Sequence, residues 1–244
     1  MNRRHVAGLL ASSLVEFPWS ASGAEPLGIA YFTGSARSKI GALIMVEVYR
    51  QAGIATVPVS YPGARNLVAA EASEVVGESV RVYSYTDAHP LLTRVEPAVT
   101  EWTTVAFYRT GGKVRIQSPM DLRGLAVGYT KGTRACEDLV RDLELKDVQV
   151  TASPEQLFRM LMLGRFDVAL EGGTNGALVI RRDHLSGLAS FELNRLPLYH
   201  VLSPKYKAWA PMLSEIITRM RASGELARVA AQAEQAVLSS DEIP

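Results

Sequence analysis

The sequence is poor in the residues that build disulfides and metal sites. It contains 1 cysteine and 4 histidines among 244 residues. Cys136 alone cannot form a disulfide within the chain, and His89 and His200 lack partners at the spacing of metal ligands. We therefore expect no metal site and a Cys136 that fills a small apolar space. The alternative is a thiol whose pKa is lowered at a helix start.

Recurring catalytic and cofactor motifs are also missing. The sequence has no G-x-S-x-G elbow, no H-E-x-x-H, no P-loop and no glycine-rich dinucleotide fingerprint. These absences argue against an enzyme, and we expect neither catalytic residues nor a cofactor. A carboxylate pair such as Glu78 and Asp87 keeps acid–base catalysis open as an alternative.

Charge is balanced and long apolar runs are scarce. The chain has 26 Lys and Arg against 25 Asp and Glu, a net charge of +1, without a basic cluster. Binding to nucleic acid, which depends on neutralising phosphates, is therefore not expected. Beyond residue 24 no stretch approaches the ~20 apolar residues that span a bilayer.

The first residues have the pattern of a signal peptide. A basic start at residues 1–4 precedes a mostly small, apolar run at residues 6–15, and Pro18 ends it. The small residues at 22–24 then offer a cleavage site. We predict a signal peptide over residues 1–24 and export to the periplasm. Glu16 departs from the pattern, and a frayed N-terminal helix is the alternative.

Short apolar runs alternate with helical patterns along the rest of the chain. This alternation is typical of α/β proteins with mainly parallel sheets. In the first part we predict strands at residues 27–31, 56–61, 79–83 and 103–108, and helices at 38–51 and 66–71. In the second part we predict strands at 125–129, 148–151 and 166–170, and helices at 133–143, 154–163, 209–222 and 225–237.

Three segments resemble one family. The segment MDLRGLAVGYTKGT at residues 120–133 resembles the D-L-x-G-x-x-V-G-x-x-x-G-T pattern of family-3 extracellular solute-binding proteins of ABC importers. Residues 153–169 resemble a later helix and strand of that family, and residues 220–228 resemble its C-terminal M-x-x-x-G-x-L turn. Residues 62–67, 77–81 and 197–200 are similar to a less-studied subgroup of the family, and together the resemblance covers nearly the whole chain after residue 24.

The resemblance implies a fold and a domain organisation. The expected fold is α/β, two-lobed and periplasmic-binding-protein-like (type II), with two crossover strands as the hinge between the lobes. The first lobe would comprise residues 25–109 with 197–244 returning to it, and the second lobe residues 110–196. The hinge strands are expected at residues 103–109 and 196–202.

Two positions differ from the amino-acid-binding members of the family. Residues 85–90 lack the Arg that would hold a ligand carboxylate, and Gly172 stands where an Asp would hold a ligand amine. Glu171 is adjacent to Gly172, although alternation along a strand would point its side chain elsewhere. The sequence therefore leaves the ligand class open between an amino-acid-like solute and a small carboxylate.

The best binding candidate lies at a predicted helix start, at Gly132, Thr133 and Arg134. Free backbone N–H groups and the positive helix end favour a carboxylate or phosphate there, and Arg134 would add a two-pronged contact. Thr133 is also a good helix N-cap, so the structural alternative is a capped helix with a solvated arginine.

The other candidates follow from strand ends and from charge. Tyr31 and Phe32 end the first strand, where they would offer an aromatic face to a ligand or pack in the core. Arg65 and Arg81 would supply positive charge or lie on solvated faces. The remaining candidates, acceptors for a ligand amine, are Glu78 and Glu171.

The sequence thus predicts a monomeric exported protein that captures a small polar solute, amino-acid-like or a small carboxylate. The expected partners are this solute and an ABC permease in the inner membrane. A sensing or degenerate binding module without a transport role is one alternative, and an enzyme on the same fold is another.

Overall fold

The computed structural model describes residues 25–240. The predicted signal peptide lies outside these residues. In the described part, strands and helices alternate along the chain. The strands form two parallel groups, which are joined by antiparallel strands. No helix within residues 25–240 has the length and apolar character needed to cross a membrane.

The first lobe contains three parallel strands in which β1 lies between β2 and β3. Its main elements are, in chain order, β1 (Leu27–Phe32), α1 (Ala36–Gln51), β2 (Thr56–Tyr61), α2 (Gly63–Glu71) and β3 (Gly77–Val82). A short helix α3 (Tyr85–Ala88) and a short strand β4 (Thr93–Arg94) follow.

The start of α1 differs from the prediction that the helix begins at Ser38. Ser35 is the N-cap, and its side chain accepts a hydrogen bond from the Ser38 backbone N–H. The buried Ser38 hydroxyl instead accepts from the Phe32 backbone N–H at 3.0 Å and lies 3.0 Å from the Ser79 hydroxyl. These bonds tie the start of α1 to β1 and β3.

Strand β5 (Thr100–Arg109) leads into the second lobe, where β6 lies between β7 and β8 in a second parallel group. The elements of this lobe are β6 (Val127–Thr130), α4 (Arg134–Asp142), β7 (Val148–Thr151), α5 (Pro154–Met162), β8 (Val168–Gly172) and α6 (Gly173–Arg182). A 3₁₀ turn (Pro119–Leu122) precedes β6.

Helix α5 begins as the sequence predicts, whereas helix α6 was not predicted. Ser153 caps α5 by accepting from the Gln156 backbone N–H, and Pro154 occupies the first turn, as predicted. Helix α6 is an element that the sequence pattern missed. Gly173 and Gly176 fall in its first turns, and glycine is a poor helix former.

The long strand β9 (Leu188–Leu202) returns from the second lobe to the first. It pairs antiparallel with β5 from the Thr100–Leu198 pair to the Arg109–Leu188 pair, and farther along with β3. The strand order is β2-β1-β3-β9-β5-β8-β6-β7, so β5 and β9 are the two crossover strands that the fold prediction requires. The residue boundaries of the lobes remain a prediction.

The C-terminal helices pack on the first lobe. After a 3₁₀ turn (Pro204–Trp209), α7 (Ala210–Ala222) and α8 (Glu225–Ser239) meet at Gly224, whose φ of 77° is in the left-handed region. Both helices share one apolar core with α1; its buried members include Ile40, Val48, Leu213, Ile217, Leu226 and Val237. Smaller cores lie on the two sides of the second-lobe sheet.

Candidate functional site

The two lobes touch where their parallel strands end and their helices begin. Three residues separate the end of β1 from the start of α1, and α6 starts directly after β8. Across the interface, Asn175 of α6 accepts a hydrogen bond from the Ala36 backbone N–H at 3.1 Å. Ligands of open α/β sheets bind at this edge, beyond the carboxyl ends of the strands, so this is the candidate site.

Three predicted site residues form one cluster in the first lobe. Glu78 is fully buried and Arg81 is 7% exposed. The Arg81 Nε lies 2.8 Å from Glu78 Oε2, and the Arg81 Nη2 lies 2.7 Å from Glu78 Oε1. The guanidinium carbon lies 3.8 Å from the Phe32 ring centre and 4.7 Å from that of Tyr85. Arg81 is therefore already neutralised by a two-pronged ion pair and covered by aromatic rings.

A strand irregularity brings this pair together. Residues 78 and 81 would point to opposite faces of a regular strand. The pairing of β3 with β9 shifts register between Glu78 and Arg81, and this shift puts both side chains on one face. Burial raises the pKa of the adjacent Tyr85 to about 12.

Glu171 is the buried carboxylate of the second lobe. Its Oε2 accepts from the Thr130 hydroxyl at 2.7 Å, and its Oε1 accepts from the Gly172 backbone N–H at 2.8 Å. The Asn175 side-chain amide lies 3.5 Å from the same Oε1. Burial raises the pKa of Glu171, and these three donors act in the opposite direction by favouring the ionised form.

The predicted anion-binding segment lies at the start of α4 and is open to solvent. Gly132 has a φ of 84°, and its backbone N–H donates to Glu137 Oε1 at 3.2 Å. Thr133 is the N-cap residue as predicted, but its side chain makes no capping hydrogen bond. The Arg134 side chain is 78% exposed and pairs with Asp138 at 3.4 Å. This segment follows Thr130, which holds Glu171.

The remaining two candidates lie apart from these clusters. Tyr31 is half-buried and packs against the core of the first lobe. Arg65 is exposed and pairs with Glu74 at 2.8 Å. The structure thus brings Phe32, Glu78 and Arg81 together and leaves Arg65 on the surface. Glu171 is bonded to Thr130, the last residue before the segment that leads into α4.

Gly172 lies against an indole ring. A Cβ atom added there would lie 2.5 Å from the Trp102 ring, closer than real Cβ contacts. The Trp102 Nε1 donates to the Thr104 hydroxyl at 3.0 Å, which holds the ring in place. The aspartate that the family resemblance leads one to expect cannot fit at this position while Trp102 stays where it is.

The interface residues Arg37, Thr174 and Asn175 are not among the sequence candidates. Arg37 contacts the Thr174 hydroxyl and lies 3.2 Å from Glu234 of α8. Each of these polar residues lies in a loop or in the first turn of a helix. Polar residues are common there because they hydrogen-bond to the nearby backbone. Only the pairing of the lobes distinguishes them.

Similarity to known proteins exists at the level of structure. No protein-family model and no curated protein matches the sequence. A histidine kinase sensor domain with similarity to periplasmic binding proteins matches with a TM-score of 0.69 and 16% identity, covering 85% of this chain and 95% of that one. The GluR0 ligand-binding core in complex with L-glutamate matches with a TM-score of 0.70 and 12% identity, covering 86% and 99%.

A transport protein matches at a similar level. The substrate-binding protein of an amino acid ABC transporter has a TM-score of 0.63 and 10% identity, and the match covers 85% of this chain and 98% of that one. At such identities the likeness concerns the fold. The chain therefore has the two-lobed α/β fold of periplasmic binding proteins, as its sequence motifs predict.

Proposed function

We propose that the protein is an exported binding module that captures a small polar solute between its two lobes. The observation that carries this proposal is the meeting of polar side chains and helix starts from both lobes at the carboxyl ends of their strands. Such lobes close on a ligand when the ligand makes contacts that exist only in the closed arrangement.

The charges at the site favour one place for an acidic group of the solute. Arg81 is occupied by Glu78, so its charge is compensated before any ligand binds. Arg134 is mostly exposed, and the neighbouring Gly132 N–H is bonded to the flexible side chain of Glu137, which a ligand carboxylate would displace. We therefore assign the carboxylate of an amino-acid-like solute or small carboxylate to the start of α4.

We assign the buried carboxylates to the framework of the site. Glu78 and Glu171 have no exposed surface, and their oxygens already accept hydrogen bonds from protein donors. Contact with a ligand amine would require these bonds to break. Their role in this proposal is to hold Arg81 and the start of α6 in place.

The proposal is tested by a thermal-shift screen of residues 25–244 against amino acids, amines, small carboxylates and sugars. A ligand at about 100 times its Kd adds about 2.7 kcal/mol to the stability of the folded state. We expect a shift with an acidic or amino-acid-like solute, and a loss of affinity of about tenfold or more in Arg134→Ala. Absence of a shift with every class would contradict the proposal.

Arg141→Ala is the matched control. Arg141 lies on the same helix as Arg134, is also exposed, and pairs with the same Asp138. It lies in the last turn of α4, away from the helix start, so its removal should leave affinity unchanged. Equal losses in both variants would indicate a general effect of charge on α4 and not a binding contact.

Transport and sensing are the two roles open to such a module. The predicted signal peptide and the ABC-importer resemblance support service to a permease, and we propose transport first. The sensor-domain neighbour supports sensing as the second candidate. Deletion of the gene separates them: loss of solute uptake indicates transport, whereas unchanged uptake with altered gene expression indicates sensing.

A further inference from the structure

One side chain caps a helix of the opposite lobe. Asn175, 6% exposed, accepts at Oδ1 from the Ala36 N–H at 3.1 Å, and its Nδ2 lies 3.5 Å from the Gly34 carbonyl oxygen. Ala36 is the first residue of α1, where backbone N–H groups have no partner within the helix. The Ser35 side chain accepts a hydrogen bond from the backbone N–H of Ser38, whereas the N–H of Ala36 donates to Asn175. Part of the capping of α1 therefore depends on the second lobe.

The orientation of the Asn175 amide is fixed from within its own lobe. An amide has one acceptor atom and one donor atom, so only one of its two orientations fits a given set of partners. Glu171 Oε1 lies 3.5 Å from Nδ2 and requires the donor side to face it. Thr130 and Gly172 hold the Glu171 carboxylate in turn. The acceptor Oδ1 is thereby directed at Ala36.

A second set of contacts lies beside the first. The Thr174 hydroxyl accepts from Arg37 and lies 3.4 Å from Glu234 Oε1. Arg37 also lies 3.2 Å from Glu234 and 3.4 Å from the Thr100 hydroxyl. These contacts keep α6 aligned with α1 and α8, so Asn175 remains within reach of Ala36.

We propose that Asn175, oriented by Glu171, is an inter-lobe latch that holds the two lobes in contact at this edge. Separation of the lobes breaks both bonds of Asn175 to the first lobe and leaves the first N–H of α1 to water. The latch acts without contact to a solute. It therefore goes beyond the proposed function and is testable even if no solute is found.

The test measures the distance between the lobes. Spin labels are placed on exposed residues of each, at Val68→Cys in α2 and Leu163→Cys after α5, while the native Cys136 is buried. Loss of one capping bond favours the open form by about 2- to 30-fold. We expect Asn175→Ala to raise the population at longer distances by a factor in this range.

Two further variants separate the latch from a general loss of stability. Glu171→Met keeps the length of the side chain but removes both acceptor oxygens, so the Asn175 amide is no longer held in one orientation and the distances should lengthen in the same direction. Gln156→Glu keeps the acceptor that bonds the Ala152 N–H within the second lobe, and should change nothing. Identical distance distributions in the unsubstituted protein, Asn175→Ala and Glu171→Met would overturn the proposal.

Hydrogen exchange at the Ala36 amide gives a second readout. The bond to Asn175 Oδ1 protects this amide, so Asn175→Ala should speed its exchange by about 2- to 30-fold. An amide in the middle of α5 should keep its rate, which excludes global unfolding as the cause. An unchanged Ala36 rate in the variant would show that the bond does not hold the lobes together.

Discussion

Acidification from pH 7 to pH 5 should destabilise the protein through His200. This imidazole is fully buried; its Nε2 lies 2.9 Å from the Tyr49 hydroxyl and its Nδ1 lies 3.3 Å from the Ser79 carbonyl oxygen. Burial lowers its pKa from 6.5 to about 4, because the charged form loses its hydration. The folded state therefore keeps His200 neutral at pH 5.

The magnitude follows from proton linkage. Between the folded pKa of about 4 and the unfolded pKa of 6.5, the unfolded state binds more protons than the folded state. Stability therefore rises with pH through this window and is lost as the pH falls below 6.5. From pH 7 to pH 5 the loss due to His200 is about 2 kcal/mol.

Urea unfolding at both pH values measures this loss. Glu171 contributes with the opposite sign, because a raised carboxyl pKa makes the folded state bind more protons than the unfolded state. The comparison with His200→Gln cancels this contribution and those of the other titratable groups. We expect the variant to lose less stability on acidification, by about 2 kcal/mol. An equal pH dependence in both proteins would refute the reasoning.

Three further predictions concern single sites. Glu78→Gln leaves Arg81 buried without its counter-charge and should lower the free energy of unfolding by about 3 kcal/mol in urea titrations. The double variant with Arg81→Met removes the unpaired charge and should recover part of the lost stability. Gly172→Ala forces its methyl group into an indole ring and should lower the melting temperature, whereas Gly63→Ala meets open space and should not. Cys136 is buried and burial raises its thiol pKa, so it should react with a disulfide reagent far more slowly in native buffer than in denaturant, and equal rates would contradict this.

The sequence was sufficient for elements with strong local signals. The capping serine and Pro154 defined the start of α5, and apolar alternation located the strands around Ile29 and Val150. Local preference and periodicity act within a few residues, so they can be read from the chain alone. The order of these elements and the short motifs were enough to predict the two-lobed fold.

The start of α1 and the existence of α6 were not accessible in this way. Ser35 and Ser38 are equally good caps, and the choice depends on bonds from Ser38 to Phe32 and Ser79. Helix α6 overcomes two glycines because its buried face packs between the sheet and its neighbours.

The candidate site, too, was only partly predictable from the sequence. Phe32, Glu78, Arg81 and Glu171 were identifiable as residue types at strand ends or in strands. The sequence did not show that a register shift pairs Glu78 with Arg81 and so removes a free cation.

The tertiary structure alone decided which polar residues meet across the lobes. Ala36 and Asn175 are 139 residues apart in the chain, and no local pattern connects them. Short-range preferences determine where helices and strands form, and therefore the sequence determined the elements and their order. Contacts between distant residues depend on how those elements pack, and therefore only the folded chain determined the ion pair and the inter-lobe bonds.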